Sequence, residues 1–234
     1  LTPEPRGRRG NELAISRPAW KEDSSGRRTA LAAWIGRPDN PLTTRVLVNR
    51  IWQQHFGQGI VPTPNNFGKM GQLPTHPELL DWLAVTFVEN GWSIKQLHKR
   101  ILMSATWQQS AHHPEADRYQ QQDPAEALLW RARVHRLRAE QIRDAMLSIS
   151  GELEQTVGGP GVDASVPRRS LYVKVFRNTT ETFLHAFDAA GGLKSIAVRN
   201  TTTTPTQSLL LINGAYALGR AEKMADRLME MEFA

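Results

Sequence analysis

At 234 residues the chain is long enough for one large domain or two small ones with a substantial core, and its 40% hydrophobic and 22% charged residues fit a water-soluble globular protein with no run of membrane-spanning length. The absence of cysteine excludes disulfides, thiolate catalysis, cysteine-ligated zinc and covalent c-type haem attachment within these residues. The net charge of +6 is uneven: residues 27–110 carry nine basic and four acidic side chains (+5), and residues 111–160 carry six and eight (−2), so the first half would suit an anionic polysaccharide, nucleic acid or membrane surface, or be simply a solvated basic surface.

Residues 1–26, rich in Arg, Gly, Pro and Ser, read as a linker or N-terminal arm anchored by Trp20. They hold no apolar signal core, so the chain reads as cytoplasmic or as a fragment whose signal lies elsewhere. Residues 27–234 read as a single mainly helical domain. A short helix over 27–35 has Leu31, Trp34 and Ile35 on its apolar side. Asn40-Pro41 suits a helix start, with Asn as N-cap and Pro at the first position. Leu47, Val48, Ile51, Trp52, His55 and Phe56 then form a wide apolar face, and Gly57 suits the C′ position. Residues 59–74 contain three Pro and three Gly and predict an ordered loop with apolar anchors such as Ile60, Val61 and Phe67. Thr75 to Glu78 predicts a capping box for a helix with Leu79, Leu80, Leu83, Ala84, Phe87 and Val88 inward. Ser93 to Gln96 predicts another, running to about residue 106.

Residues 107–123 read as a polar surface loop, and Asp123 to Glu126 as a third helix start. The arginine-rich 131–138 reads as irregular or a short strand. A helix over 138–150 should turn Ile142, Ala145, Met146 and Ile149 inward. The GGPGV loop follows, then the best strand candidate at 169–177 and a helical turn within 178–188. Thr204 to Gln207 is a fourth capping box; its helix breaks at Asn213-Gly214, and a last helix spans 215–231. The expected fold class is mainly α: an irregular multi-helix domain with long ordered loops and one or two short strands.

NPLTTRVLVNRIWQQHFGQGIV, LPTHPELLDWLA, GWSIKQLHKRILMSATWQQS and TTTTPTQSLLLIN together resemble a planctomycete domain family, the domain of unknown function numbered 1553, over residues 27–227. The resemblance implies an extracytoplasmic (periplasmic or secreted) parent protein. It implies neighbouring domains in that parent as partners, often including a cytochrome c-like module. No cofactor is then expected in this chain, and any haem lies elsewhere in the parent. The family implies no established activity. Asn66 stands where the resemblance leads us to expect an acidic residue, which argues against a metal or proton-transfer role for that loop.

Seven histidines lack metal-ligand spacing, and no metal site is expected; His55 and His98 read as core histidines. No Gly-x-Ser-x-Gly elbow occurs, and the GGPG turn lacks the Lys-Ser/Thr of a phosphate loop. Arg45 and Asn49 share a helix face with Arg50 beside them. With Asn66 and His76 these are the candidate binding residues; the competing role is to bond loop carbonyls and hold the Gly/Pro-rich connection. The tryptophans read as core anchors. Three functions follow: a helical scaffold or interaction module, a polysaccharide-acting enzyme using Glu78, Asp81, Glu140 or Asp144 as paired carboxylates, or a nucleic-acid or polyanion binder, with nucleic acid disfavoured.

Overall fold

The computed structural model describes residues 26–176, 179, 181–192 and 196–232. The expected arm, with Trp20, lies outside them apart from Gly26. The described residues are mainly helical and fall into two compact units.

The first unit holds α1 (Arg27–Ile35), α2 (Thr43–Phe56), α3 (Pro77–Glu89), α4 (Ile94–Leu102) and α5 (Ala116–Gln122). Asn40 is not the N-cap of α2, nor Pro41 its first residue: the N-cap position is Leu42, which has no side-chain cap, and the helix begins at Thr43. Asn40 Oδ1 instead closes the turn before the helix, accepting from the amides of Leu42 and Thr43 at 2.9 and 3.2 Å. Gly57, at φ 78°, ends it. The core joins Val48, Ile51, Trp52 and Phe56 of α2 to Leu80, Leu83 and Phe87 of α3 and Leu97 and Ile101 of α4. Ile60 and Val61 reach in from the loop. Full burial of such side chains contributes about 1.5–3 kcal/mol each.

Several local expectations are corrected. Thr75 does not cap α3; its amide and hydroxyl both donate to Ile60 O at 2.9 and 3.3 Å, closing the base of the loop. His76 occupies the N-cap position without a side-chain cap. Ser93 does cap α4, accepting from the Gln96 amide at 3.3 Å, but the helix stops at Leu102. Ser104 then closes a turn, donating to Ile101 O and accepting from the Trp107 amide. The expected loop at 107–123 contains α5. The expected helix at Asp123 is a turn, because the two carboxylate oxygens accept the amides of Ala127 and Leu128. Glu126 and Leu129 take positive φ there. Trp52 is a core anchor, but Trp82 is 51% exposed.

The second unit holds α6 (Ala139–Ile149), a 3-10 turn (Ser170–Tyr172), α7 (Thr182–Ala186), α8 (Pro205–Asn213) and α9 (Ala215–Glu232). Its core is built on Ala139, Phe183 and Phe187, with Ile142, Met146, Leu184 and Tyr216 packed around them. The innermost positions of α6 are Ala139, Arg143 and Leu147, while Ile149 is exposed, so the buried stripe is rotated from the expected one. The capping box of α8 forms in full: the Gln207 amide donates to Thr204 Oγ1, and the Thr204 amide donates to Gln207 Oε1. The expected strand at 169–177 is not a ladder among the described residues. It opens with the 3-10 turn, and then Val173 and Phe176 make isolated bridges to Val162 and Thr179. Among the described residues no helix is long and apolar enough to cross a membrane.

Candidate functional site

The five sequence-predicted site residues each have their own local setting in the first unit. Asn49 is fully buried. Its Nδ2 donates to Val61 O at 3.0 Å, and its Oδ1 accepts the Val61 amide at 2.8 Å. The side-chain amide thus pairs with the backbone N–H and C=O of a single residue, as a neighbouring antiparallel strand would, satisfying both of its polar groups. Arg45, one turn earlier, crosses to α3: Nε lies 2.6 Å from Asp81 Oδ1, and a second nitrogen donates to Pro41 O at 2.8 Å. The hydrogen bond from Arg45 holds the Asp81 carboxyl below the usual range and strengthens the guanidinium's hold on its proton. These two line a shallow cleft of about 260 Å³ with Asn40, Thr44, Ala84 and Val88. Arg50 is exposed. Asn66 Oδ1 accepts the Gly68 amide at 3.1 Å, a local turn bond, and His76 Nδ1 meets Thr75 Oγ1 at 3.0 Å. Asn49 and Thr75 therefore meet the loop at adjacent residues, Val61 and Ile60, whereas Arg45 faces α3.

The second unit contains polar residues that sequence reasoning did not single out. Arg143 is 1% exposed, and its guanidinium donates to the carbonyls of Arg168 at 2.8 Å, Ala164 at 2.7 Å and Val166 at 2.9 Å. The loop is wound around a cation whose planar array of donors matches several carbonyls at once. Arg168, 6% exposed, does the same for the preceding turn through Thr156 O, Gly158 O and Pro160 O, with its guanidinium 4.1 Å from the Tyr172 ring centroid. Asp144, one of the carboxylates the sequence did offer, accepts both the amide and the hydroxyl of Ser170 on Oδ1 at 2.7 Å. Four arginines in eight residues flagged 131–138; nothing in the spacing marks Arg143 or Arg168, because their partners are backbone atoms.

A cleft of about 90 Å³ in this unit is lined by Glu140, Ser170, Lys174, Glu181, Leu184 and His185, among others. Its carboxylates are engaged. Glu140 receives one Arg199 nitrogen at 2.8 and 2.7 Å on its two oxygens, and Glu181 accepts the Leu184 amide at 2.5 Å. Burial pushes the Glu140 pKa up, but the hydrogen bond from Arg199, its own backbone bond and the charges of Arg199 and Arg138 together leave it below the ordinary value. A general acid requires the opposite direction. The arginine-rich 131–138 is also committed in part: Arg136 donates to Thr202 O and to Gln207 Oε1, and lies over the Phe187 ring.

The two histidines read as core residues meet each other. His55 Nε2 and His98 Nδ1 lie 2.7 Å apart, and Trp107 stands edge-on to His55 at 5.1 Å. Among the described residues no group of three or more His and carboxylate side chains could hold a metal ion.

Comparison with curated proteins and with solved structures gave no match to this chain. A family profile covers residues 27–233, nearly all of the described fold, and on that match the chain belongs to the family described as PSD1, protein of unknown function (DUF1553).

Proposed function

We propose that this chain is a non-catalytic helical scaffold or interaction module of a larger secreted, cytochrome c-associated protein, with any haem bound outside these residues. One observation carries this reading: three of the four carboxylates available for paired acid–base chemistry face arginines. Asp81 bonds Arg45, Glu140 bonds Arg199, and Asp144 lies within 4 Å of Arg143 and Arg169 while holding Ser170. Glycoside hydrolysis needs one carboxyl kept protonated near neutral pH, and the surroundings of Asp81 and Glu140 favour the ionised form. The secreted, cytochrome-associated setting is supported by the sequence resemblance.

A partner surface is available on α4. Lys95, Lys99 and Arg100 are exposed with no acidic residue on the helix, and the Arg100 guanidinium lies 5.2 Å from the centroid of the half-exposed Trp82 ring. An acidic polysaccharide fits it through ion pairing with the cations and stacking on the indole. Incubation with polygalacturonate tests both parts. We expect salt-sensitive binding, weakened by Lys95→Glu/Lys99→Glu, and no new reducing ends. Release of reducing ends that Glu140→Gln abolishes without changing the fold would overturn the non-catalytic reading.

A further inference from the structure

The His55–His98 contact is peculiar in its electrostatics. Two ring nitrogens at 2.7 Å, from the last turn of α2 and the middle of α4, can hold one proton between them but not two. Both rings are partly buried. They flank an aromatic stack in which Trp52 lies 4.1 Å from Phe56 and Trp107 stands edge-on to Phe56 at 5.7 Å. The pair therefore helps hold α4 and the turn after it against the end of α2.

The two helices that carry the pair, and the turn after α4, hold no carboxylate to offset a second proton. Helix α2 carries Arg45 and Arg50 and no carboxylate; α4 carries Lys95, Lys99 and Arg100 and no carboxylate; residues 103–109 carry no charge. On α3, which packs against both helices, Asp81 is bonded to Arg45, and Glu78 and Glu89 are the other carboxylates. Neither acts on His55, whose pKa is lowered by burial first and by His98 second.

We propose that this pair is an acid-released latch: with one bridging proton it ties α4 and the Trp107 turn to α2, and with both rings charged it lets them go. Because His55 takes up a proton less readily folded than unfolded, the stability it contributes is complete above the ordinary histidine range. It is lost as pH falls through that range, about 6.5, toward the lower folded value. A module released in this way would uncover the buried Phe56 and Trp52 beneath Trp107, which is itself already 38% exposed, in acid surroundings.

The test is hydrogen exchange, corrected for intrinsic rates, between pH 7.5 and 5.0, on the wild type and on His55→Gln/His98→Asn. The double variant keeps a donor and an acceptor at the two positions but cannot titrate. We expect amides of residues 97–109 in the wild type to lose protection at least tenfold more than those of α3, and the variant to show no such differential loss. An identical pH response in the variant would overturn the proposal. If the variant does not fold, imidazole nitrogen NMR of the wild type decides. Loss of the Nε2–Nδ1 hydrogen bond together with loss of protection supports the latch. Two charged rings with 97–109 still protected refute it.

Discussion

Asn49 and Val61 pair through both polar groups of the Asn side chain and the backbone N–H and C=O of the one residue Val61, with Asn49 fully buried. This is how a loop with three prolines, which cannot supply its own regular backbone bonding, is tied to a helix. A Cβ at Gly59 would lie 2.6 Å from Asn49 Nδ2 and 2.7 Å from Val61 O, so the position two residues before the tie has to be glycine. Asn49→Ala leaves the Val61 amide and carbonyl unpaired, and urea unfolding should show a loss of about 2–4 kcal/mol. Gly59→Ala should cost about 1–3 kcal/mol through overpacking against the same contact.

Asn49→Asp separates geometry from chemistry. The substitution is nearly isosteric, yet an ionised carboxylate would turn an acceptor toward Val61 O where a donor now stands. It should be strongly destabilising at pH 7 and recover part of the loss as pH falls and the acid protonates, because only the protonated carboxyl offers a hydrogen. A stability difference independent of pH would show that the Val61 pairing is not what Asn49 provides.

Arg143 organises the segment from Ala164 to Ser170 from beneath. Arg143→Met should lower stability by about 3 kcal/mol or more, since three carbonyls lose a charged donor. Arg143→Lys should rescue little, because an ammonium cannot reach the same set of acceptors. Proteolysis should cut first within 156–168 in both variants.

The Arg45–Asp81 pair is half exposed, with side-chain accessibilities of 32% and 54%, and its contribution is correspondingly small. Asp81→Asn should cost at most about 1 kcal/mol at low ionic strength and nothing measurable in 1 M salt. Asp81 has a lowered folded pKa. The pair's contribution is therefore present above the unfolded aspartate value, about 3.9, and is lost as pH falls through the lower folded one.

Much of the helical frame is legible in the residues. α1 matches its expected span, α8 begins at the capping box of Thr204 and Gln207, and α2 and α3 bury the apolar stripes their spacing marks. The failures share a physical cause. Asp123 carries a helix-start signal, but its carboxylate reaches amides four and five residues on and closes a turn. The 169–177 segment has strand composition, but Asp144 takes both the amide and the hydroxyl of Ser170, and Val173 meets Val162 at a single bridge. His55 and His98 are 43 positions apart, and no spacing rule predicts their meeting. Arg143 departs furthest from pattern, since a charged residue on the buried face of α6 contradicts binary patterning until its carbonyl partners are known.

The most direct test of the account is carboxyl-carbon NMR titration of Glu140 and Asp81. If these groups hold arginines in place, both should titrate below ordinary carboxylates. A pKa near 6 or above for either, as a general acid needs, would contradict the structural assignment and return this chain to the enzymes.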